Sequence, residues 1–189
     1  MAVLHVLLVL PLFAAIRVDA TGKCNQDIIK KILATNSCPS GVLGKLHDMG
    51  QFTQAALPAA EVPDVVQCWG GSIDAPTGSS ANAQAKIIFK DGSEKTIKYI
   101  TQEQTCGQIT DSYEGSTYNI YFMNIDDTIG CYYRCNNEIE TAGADFGGCV
   151  IPESKVTDPA AQVAIAKCKQ SLADVGITTS IQNLQPCSQ

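Results

Sequence analysis

The chain has 189 residues, with 13 basic side chains against 19 acidic ones for a net charge of −6, and 45% of it is apolar. That length suits one domain able to bury a real core. The basic residues are scattered rather than gathered into a stripe, which argues against nucleic acid and anionic membrane surfaces as partners.

Residues 3–16 form a short apolar run followed by Arg17, and Val18, Asp19 and Ala20 supply the small-residue pattern that a signal peptidase accepts. Residues 1–20 are therefore read as a secretory signal and 21–189 as one mature domain. The run is too short to span a bilayer, and no later stretch reaches the roughly 20 apolar residues of a membrane helix. The expectation is a secreted, extracellular protein with no membrane span. Export implies an oxidising compartment, so the nine cysteines, Cys24, Cys38, Cys68, Cys106, Cys131, Cys135, Cys149, Cys168 and Cys187, are read as a disulfide framework. Only Cys131 and Cys135 stand close together, and a lone C-x3-C pair without a second pair does not complete a zinc site. Nine is odd. The leftover thiol, if exposed, would permit a disulfide-linked dimer.

Scarcity of two residue types removes further chemistry. Once His5 leaves with the signal, His47 is the only histidine, so an H-E-x-x-H zinc site cannot be built and any Ser-His-Asp or Cys-His arrangement would depend on it. It is read as a surface side chain in a polar turn. Arg134 is likewise the only mature arginine, read as exposed or in a contact across strands. No metal or cofactor is expected.

In chain order, Ile28, Ile29, Ile32 and Leu33 recur at helical spacing within 25–36, with Cys24 and Cys38 placed to tie the ends of that helix. Residues 41–63 are rich in Ala, Gly and Pro without a regular period, which predicts loop with one strand at most. Val65 to Trp69 reads as a strand ending at Gly70-Gly71. The clearest local signal is a hairpin of 85–90 and 95–100 around Asp91-Gly92-Ser93-Glu94. Alternation puts Ala85, Ile87, Phe89, Ile97 and Tyr99 on a covered face and Lys86, Lys90, Thr96 and Lys98 on a wet one. A second pair, 117–123 and 128–134, places Tyr118, Ile120 and Phe122 opposite Asn119, Tyr121 and Met123. The period then changes. Thr157 or Asp158 suits an N-cap, Pro159 a first helical turn, and Val163, Ile165, Ala166 and Leu172 recur to Val175 before Gly176 as C-cap. A short extended piece at 177–181 and a tail with Cys187 close the chain.

The stretch Ile109-Thr110-Asp111-Ser112-Tyr113, with Tyr118-Asn119-Ile120-Tyr121 after it, resembles the T-D-Y motif that precedes a strand in lipocalins. The helix at 159–175, Gly176-Ile177 and the terminal Cys187 are similar to that family's helix, last strand and closing cysteine. The resemblance, to divergent arthropod lipocalins of saliva and haemolymph, covers roughly 65–187. It implies a mainly β fold: one antiparallel eight-stranded barrel, disulfide-stabilised, with an N-terminal and a C-terminal helix. It also implies carriage or scavenging of a small hydrophobic or amphipathic molecule in a cavity, with no enzymatic reaction. The inward residues Phe89, Tyr99, Tyr118, Ile120 and Phe122 would then face the ligand. Two parts of the family pattern are missing. The sole tryptophan, Trp69, follows Gln67-Cys68 rather than the G-x of G-x-W, and is read as structural; ahead of the helix, Lys155 stands where an arginine is usual. By the family's habit Cys68 joins Cys187. Cys24 with Cys149, and Cys106 with Cys131 or Cys135, are further expectations.

A different function class fits the same framework: a disulfide-rich protein that binds or inhibits a protein partner through loops at 136–148 and 73–83. Such inhibitors usually carry cysteines at higher density on less chain. A hydrolase would have to run on Asp126-Asp127, a turn pair for which solvation is sufficient explanation.

Overall fold

The computed structural model describes residues 24–35, 38–58, 62–136, 145–178 and 181–187. Residues 1–20, read as a signal, and residues 137–144 of the polar stretch lie outside them. Eight antiparallel strands form the body: β1 (Phe52–Pro58), β2 (Val66–Ile73), β3 (Ser80–Phe89), β4 (Glu94–Glu103), β5 (Gln108–Tyr113), β6 (Ser116–Ile125), β7 (Gly130–Cys135) and β8 (Phe146–Pro152). Each pairs with the next, β8 pairs back to β1, and β1 meets β2 through Phe52↔Gly71 and Thr53↔Gly70, so the sheet closes on itself. A ninth strand, β9 (Ile181–Asn183), adds to β1 where β1 leaves β2. This is the expected barrel.

The hairpin of β3 and β4 runs longer than its alternation suggested, from Ser80↔Gln102 to Ile88↔Glu94. Its turn is fixed by the Asp91 carboxylate, which accepts from the Ser93 amide at 2.9 Å and the Ser93 hydroxyl at 2.6 Å. Between β5 and β6 the two-residue turn Glu114-Gly115 has φ of 48° and 80°, the left-handed pair that matches the twist of a tight hairpin. Gly70-Gly71, read as the end of a strand, lies inside β2. A Cβ on Gly71 would stand 2.5 Å from the Gln84 carbonyl oxygen, and one on Gly70 2.8 Å from that of Phe52. Close backbone approach at the seam, not a turn, explains the glycines.

Residues 41–58, expected as loop with one strand at most, hold a helix and a strand. Gly41, at φ 64°, opens helix α2 (Val42–Asp48), which buries Val42, Leu43 and Leu46 against one end of the barrel. The strand that follows, β1, is buried on both faces and so shows no alternation. It starts at Phe52, which Gly50-Gln51 precede, so an aromatic does follow glycine at the first strand, as phenylalanine. The same physics hid β8, whose seven residues are all buried. Phe146 and Val150 point into the barrel, while Cys149 and Ile151 face helix α3 (Pro159–Val175). A β-carbon on Gly147 would collide with Leu172 of that helix. Part of the loop surface assigned to a protein-binding role is therefore barrel wall.

Helix α1 (Gln26–Thr35) starts where the Asn25 side chain accepts from the amides of Asp27 and Ile28. Ile29 and Ile32 are buried; Leu33 is exposed. In α3 the Asp158 carboxylate caps the Ala160 amide at 2.8 Å, and Gly176 ends the helix at φ 103°. Its buried stripe is Ala161, Ile165, Cys168, Leu172 and Val175; Val163 and Ala166, expected to belong to it, face solvent. Among the described residues no helix is long and apolar enough to cross a membrane.

Four disulfides join Cys24–Cys135, Cys38–Cys106, Cys68–Cys187 and Cys131–Cys168. Cys68–Cys187 is the bond the resemblance implied. The others differ. Cys24 sits beside β7, where the Asn25 amide donates to the Tyr133 hydroxyl at 2.9 Å, and so reaches Cys135 rather than Cys149. Cys106 reaches neither Cys131 nor Cys135, because Pro39 packs on Gly107 and brings Cys38 to it. Cys149 is left as a thiol, buried beside the Cys131–Cys168 bond and opposite Cys131 in the ladder. Burial raises its pKa to about 12. A thiol so placed cannot reach another chain, which removes the expected route to a disulfide-linked dimer. Alkylation of the native protein should leave all cysteines unmodified, and unfolding in denaturant without reductant should expose one reactive thiol, on the Cys149 peptide. Labelling of Cys149 in the folded protein would contradict this arrangement.

Candidate ligand cavity

The barrel encloses a cavity of about 270 Å³, near the lower end of small-molecule sites. Its wall is mostly apolar. Phe52, Phe122 and Val150 line the barrel end nearer α2, with Leu46 of that helix as the plug, and Leu57 lines the wall further along β1. The plug is pinned at both ends. The Glu103 carboxylate on β4 accepts from the Val42 and Leu43 amides at 2.8 and 3.4 Å, and His47 Nδ1 lies 3.0 Å from the Ile73 carbonyl oxygen of β2, to which it donates. His47 is thus a fastening on the outside of the barrel and not a cavity residue. Cys38–Cys106 ties the approach to α2 onto the β4–β5 loop.

Of the residues the sequence points to as ligand-facing, Tyr99, Tyr118, Ile120 and Phe122 line the cavity, and Ile97 joins them. Phe89 does not. It pairs with Val66 at the far end of β3, half-buried against the same core but beyond the cavity wall. Ile87 likewise packs against that core without lining the cavity. Trp69, read as structural, is part of the wall.

Of the polar part of the wall the sequence pointed to the phenols Tyr99 and Tyr118, and not to Thr101, Asp111 or Arg134. Thr101, Asp111 and Tyr118 are successive partners across β4, β5 and β6, so one row of the ladder carries all three. Arg134 opposes Ile120 and Phe146 in the next row and turns its guanidinium over the Tyr118 ring, 3.7 Å from the centroid, with the Phe146 ring at 5.4 Å. This is the cross-strand contact expected of Arg134, made inside the barrel as a cation–π stack. Burial lifts Asp111 to about 6, opposed by the nearby Thr101 hydroxyl and the Arg134 charge. Burial, with Asp111 adding to it, pushes the Tyr99 phenol far above its ordinary value, and burial does the same to Tyr132. The Tyr132 hydroxyl donates to Gln54 Oε1 at 2.8 Å. The phenols therefore stay neutral at physiological pH. One signal for Asp111 was present: Ile109, Asp111 and Tyr113 share a face at period two, with Ile109 pointing inward. On β7, Tyr132 and Arg134 share the inward face in the same way.

A closed eight-stranded antiparallel barrel with a helical plug at one end, a helix packed outside and an apolar interior is the lipocalin fold. Among solved structures the chain is similar to apocrustacyanin C2, with 18% identity over 89% of this chain and 91% of that one and a TM-score of 0.60. Insecticyanin of the tobacco hornworm Manduca sexta gives 10% identity over 79% and 86% at a TM-score of 0.60. Japanin of Rhipicephalus appendiculatus, solved bound to cholesterol, gives 7% over 76% and 97% at 0.55. No family model and no curated protein matches the sequence. Identities this low establish the fold.

Proposed function

We propose that this protein is a secreted carrier or scavenger that encloses one small hydrophobic or amphipathic molecule in its barrel. The observation that carries the reading is the cavity itself: apolar for most of its wall, stoppered by α2, with a single patch of polar groups able to orient a ligand. A wall filled only to support the fold would close this space, because interiors are otherwise packed to crystal-like density. Four disulfides and the signal-like 1–20 segment fit export into an oxidising compartment. Among the proteins of similar fold, one is solved bound to cholesterol and another is named an odorant binding protein, which agrees with the reading. No reaction is assigned to the site, whose lining includes one carboxylate and no histidine or cysteine.

The chain carries its own reporter, since its one tryptophan, Trp69, lines the cavity. Titration with N-phenyl-1-naphthylamine should change Trp69 emission and saturate at one molecule per chain. Ala85→Phe places a ring into the wall and should weaken binding by about tenfold or more, equivalent to losing one well-buried contact, while the far-ultraviolet spectrum stays unchanged. Absence of saturable binding to the wild type, or equal binding to the Ala85→Phe variant, would sink the proposal.

A further inference from the structure

We infer that the cavity selects an uncharged apolar ligand whose polar end is a hydroxyl, held at Asp111. The inference rests on the carrier reading above and narrows it. Asp111 and Arg134 are the only charged side chains among the lining residues, so with the carboxylate ionised the wall sums to zero charge. The two are not paired. Among the described residues neither forms an ion pair, and the guanidinium lies on the Tyr118 ring instead. Oδ1 of Asp111 and Oγ1 of Thr101, direct partners across β4 and β5, are both buried; the hydroxyl lies close enough to favour the carboxylate, yet neither of these two atoms meets a partner in full hydrogen-bonding geometry among the described residues. Two adjacent polar atoms in that condition, in the wall of a mostly apolar cavity, call for an explanation.

Each class of head group meets this wall differently. A carboxylate would bring a second anion beside Asp111, where little water separates them, and only the far side of the patch offers Arg134 in return. An ammonium could pair with Asp111 but would stand in the field of Arg134, since Asp111 is the one carboxylate among the lining residues. Either ion must also be stripped of water to enter. A hydroxyl carries no charge to desolvate, donates to the carboxylate and can accept from Thr101 or Arg134. Tyr132 is less available as a donor because its hydroxyl already donates to Gln54. Specificity of this kind comes as much from what the wall repels as from what it attracts.

Three ten-carbon probes, 1-decanol, decanoate and decylamine, test the point because they share one tail. Each is read at pH 8 by displacement of N-phenyl-1-naphthylamine. Decanol is expected to displace the dye at a concentration about tenfold or more below either ion, the scale of one hydrogen bond to a charged group. In Asp111→Leu, decanol should weaken and decanoate strengthen until the gap closes. Asp111→Asn, which keeps an acceptor and sheds the charge, should weaken decanol by less than about tenfold, and by less than Asp111→Leu does, while losing the discrimination against decanoate. Decanoate or decylamine ahead of decanol, dye that none of the three displaces, or a preference unchanged in both variants would overturn the inference while leaving a carrier. Failure of the wild type to bind the dye at all would instead remove the carrier reading.

Discussion

At pH 8 the Asp111→Asn variant should unfold well above the wild type, and at pH 4 the two should unfold nearly together. The folded protein holds the Asp111 proton up to about pH 6 because burial disfavours the carboxylate, whereas in the unfolded chain the group titrates near its ordinary value of 3.8. A carboxyl whose pKa is raised on folding contributes stability that is fully present below the unfolded value and disappears as pH rises through the folded one. The window therefore opens near pH 4 and closes a little above pH 6. A shift of this size corresponds to roughly 2–3 kcal/mol of destabilisation at pH 8, and asparagine removes it at every pH. For a domain of this length that is roughly 5–10 °C in the unfolding midpoint. Thermal melts of both proteins from pH 4 to pH 8 decide the matter: a difference that does not grow with pH, or a variant less stable at pH 8, would show that Asp111 is not the strained acid described here. A large gain would mean that the chain keeps a destabilising acid inside its cavity, as functional sites often do.

The same residue shows where the sequence was legible and where it was not. Elements with one wet face declared themselves: the Gln84–Lys86 side of β3, the Thr96–Lys98 side of β4, and the capped α3 with Pro159 at its start and Gly176 at its end. Elements covered on both faces did not. β1 and β8 carry apolar and small residues on each side, so neither alternation nor helical period survives, and β8 was further masked by Gly147, which lets Leu172 approach, and Gly148, which makes room for Tyr132 and Leu57. The site suffered from the same blindness in reverse. Charged residues on a strand read as its solvent face, and Asp111 and Arg134 are charged residues that point inward. Alternation found the apolar wall through Ile97, Tyr99, Tyr118, Ile120 and Phe122, yet overreached along β3 at Ile87 and Phe89, because which inward side chain lies level with the cavity depends on strand tilt. Disulfide partners followed spatial neighbours that no spacing encodes. The one pair obtained correctly, Cys68–Cys187, came from the family's habit.

That bond should also be the one whose loss is felt most. Cys68 lies on β2 near the seam, and Cys187 follows β9, which extends the sheet from β1, so the bridge clamps the chain's end across the closure of the barrel. It spans 119 residues, the longest separation of the four. Restricting a loop of that length in the unfolded chain is worth about 5 kcal/mol in the chain-entropy treatment. The other three bridges shorten the loop the bond effectively closes, but the dependence is logarithmic, so the reduction is a fraction of a kcal/mol. A Cys68→Ala, Cys187→Ala double variant is therefore expected to lose about 4 kcal/mol, a large part of the net stability of a typical domain. Its unfolding midpoint should fall by roughly 8–16 °C without reductant. Removing both partners avoids a stray thiol that could exchange with the remaining bonds. Neither sulfur lines the cavity, so dye binding by the folded fraction at low temperature should persist. A loss below about 1 kcal/mol would mean that the β1–β2 pairing holds the seam unaided; loss of binding in protein that remains folded would mean that the clamp also shapes the cavity.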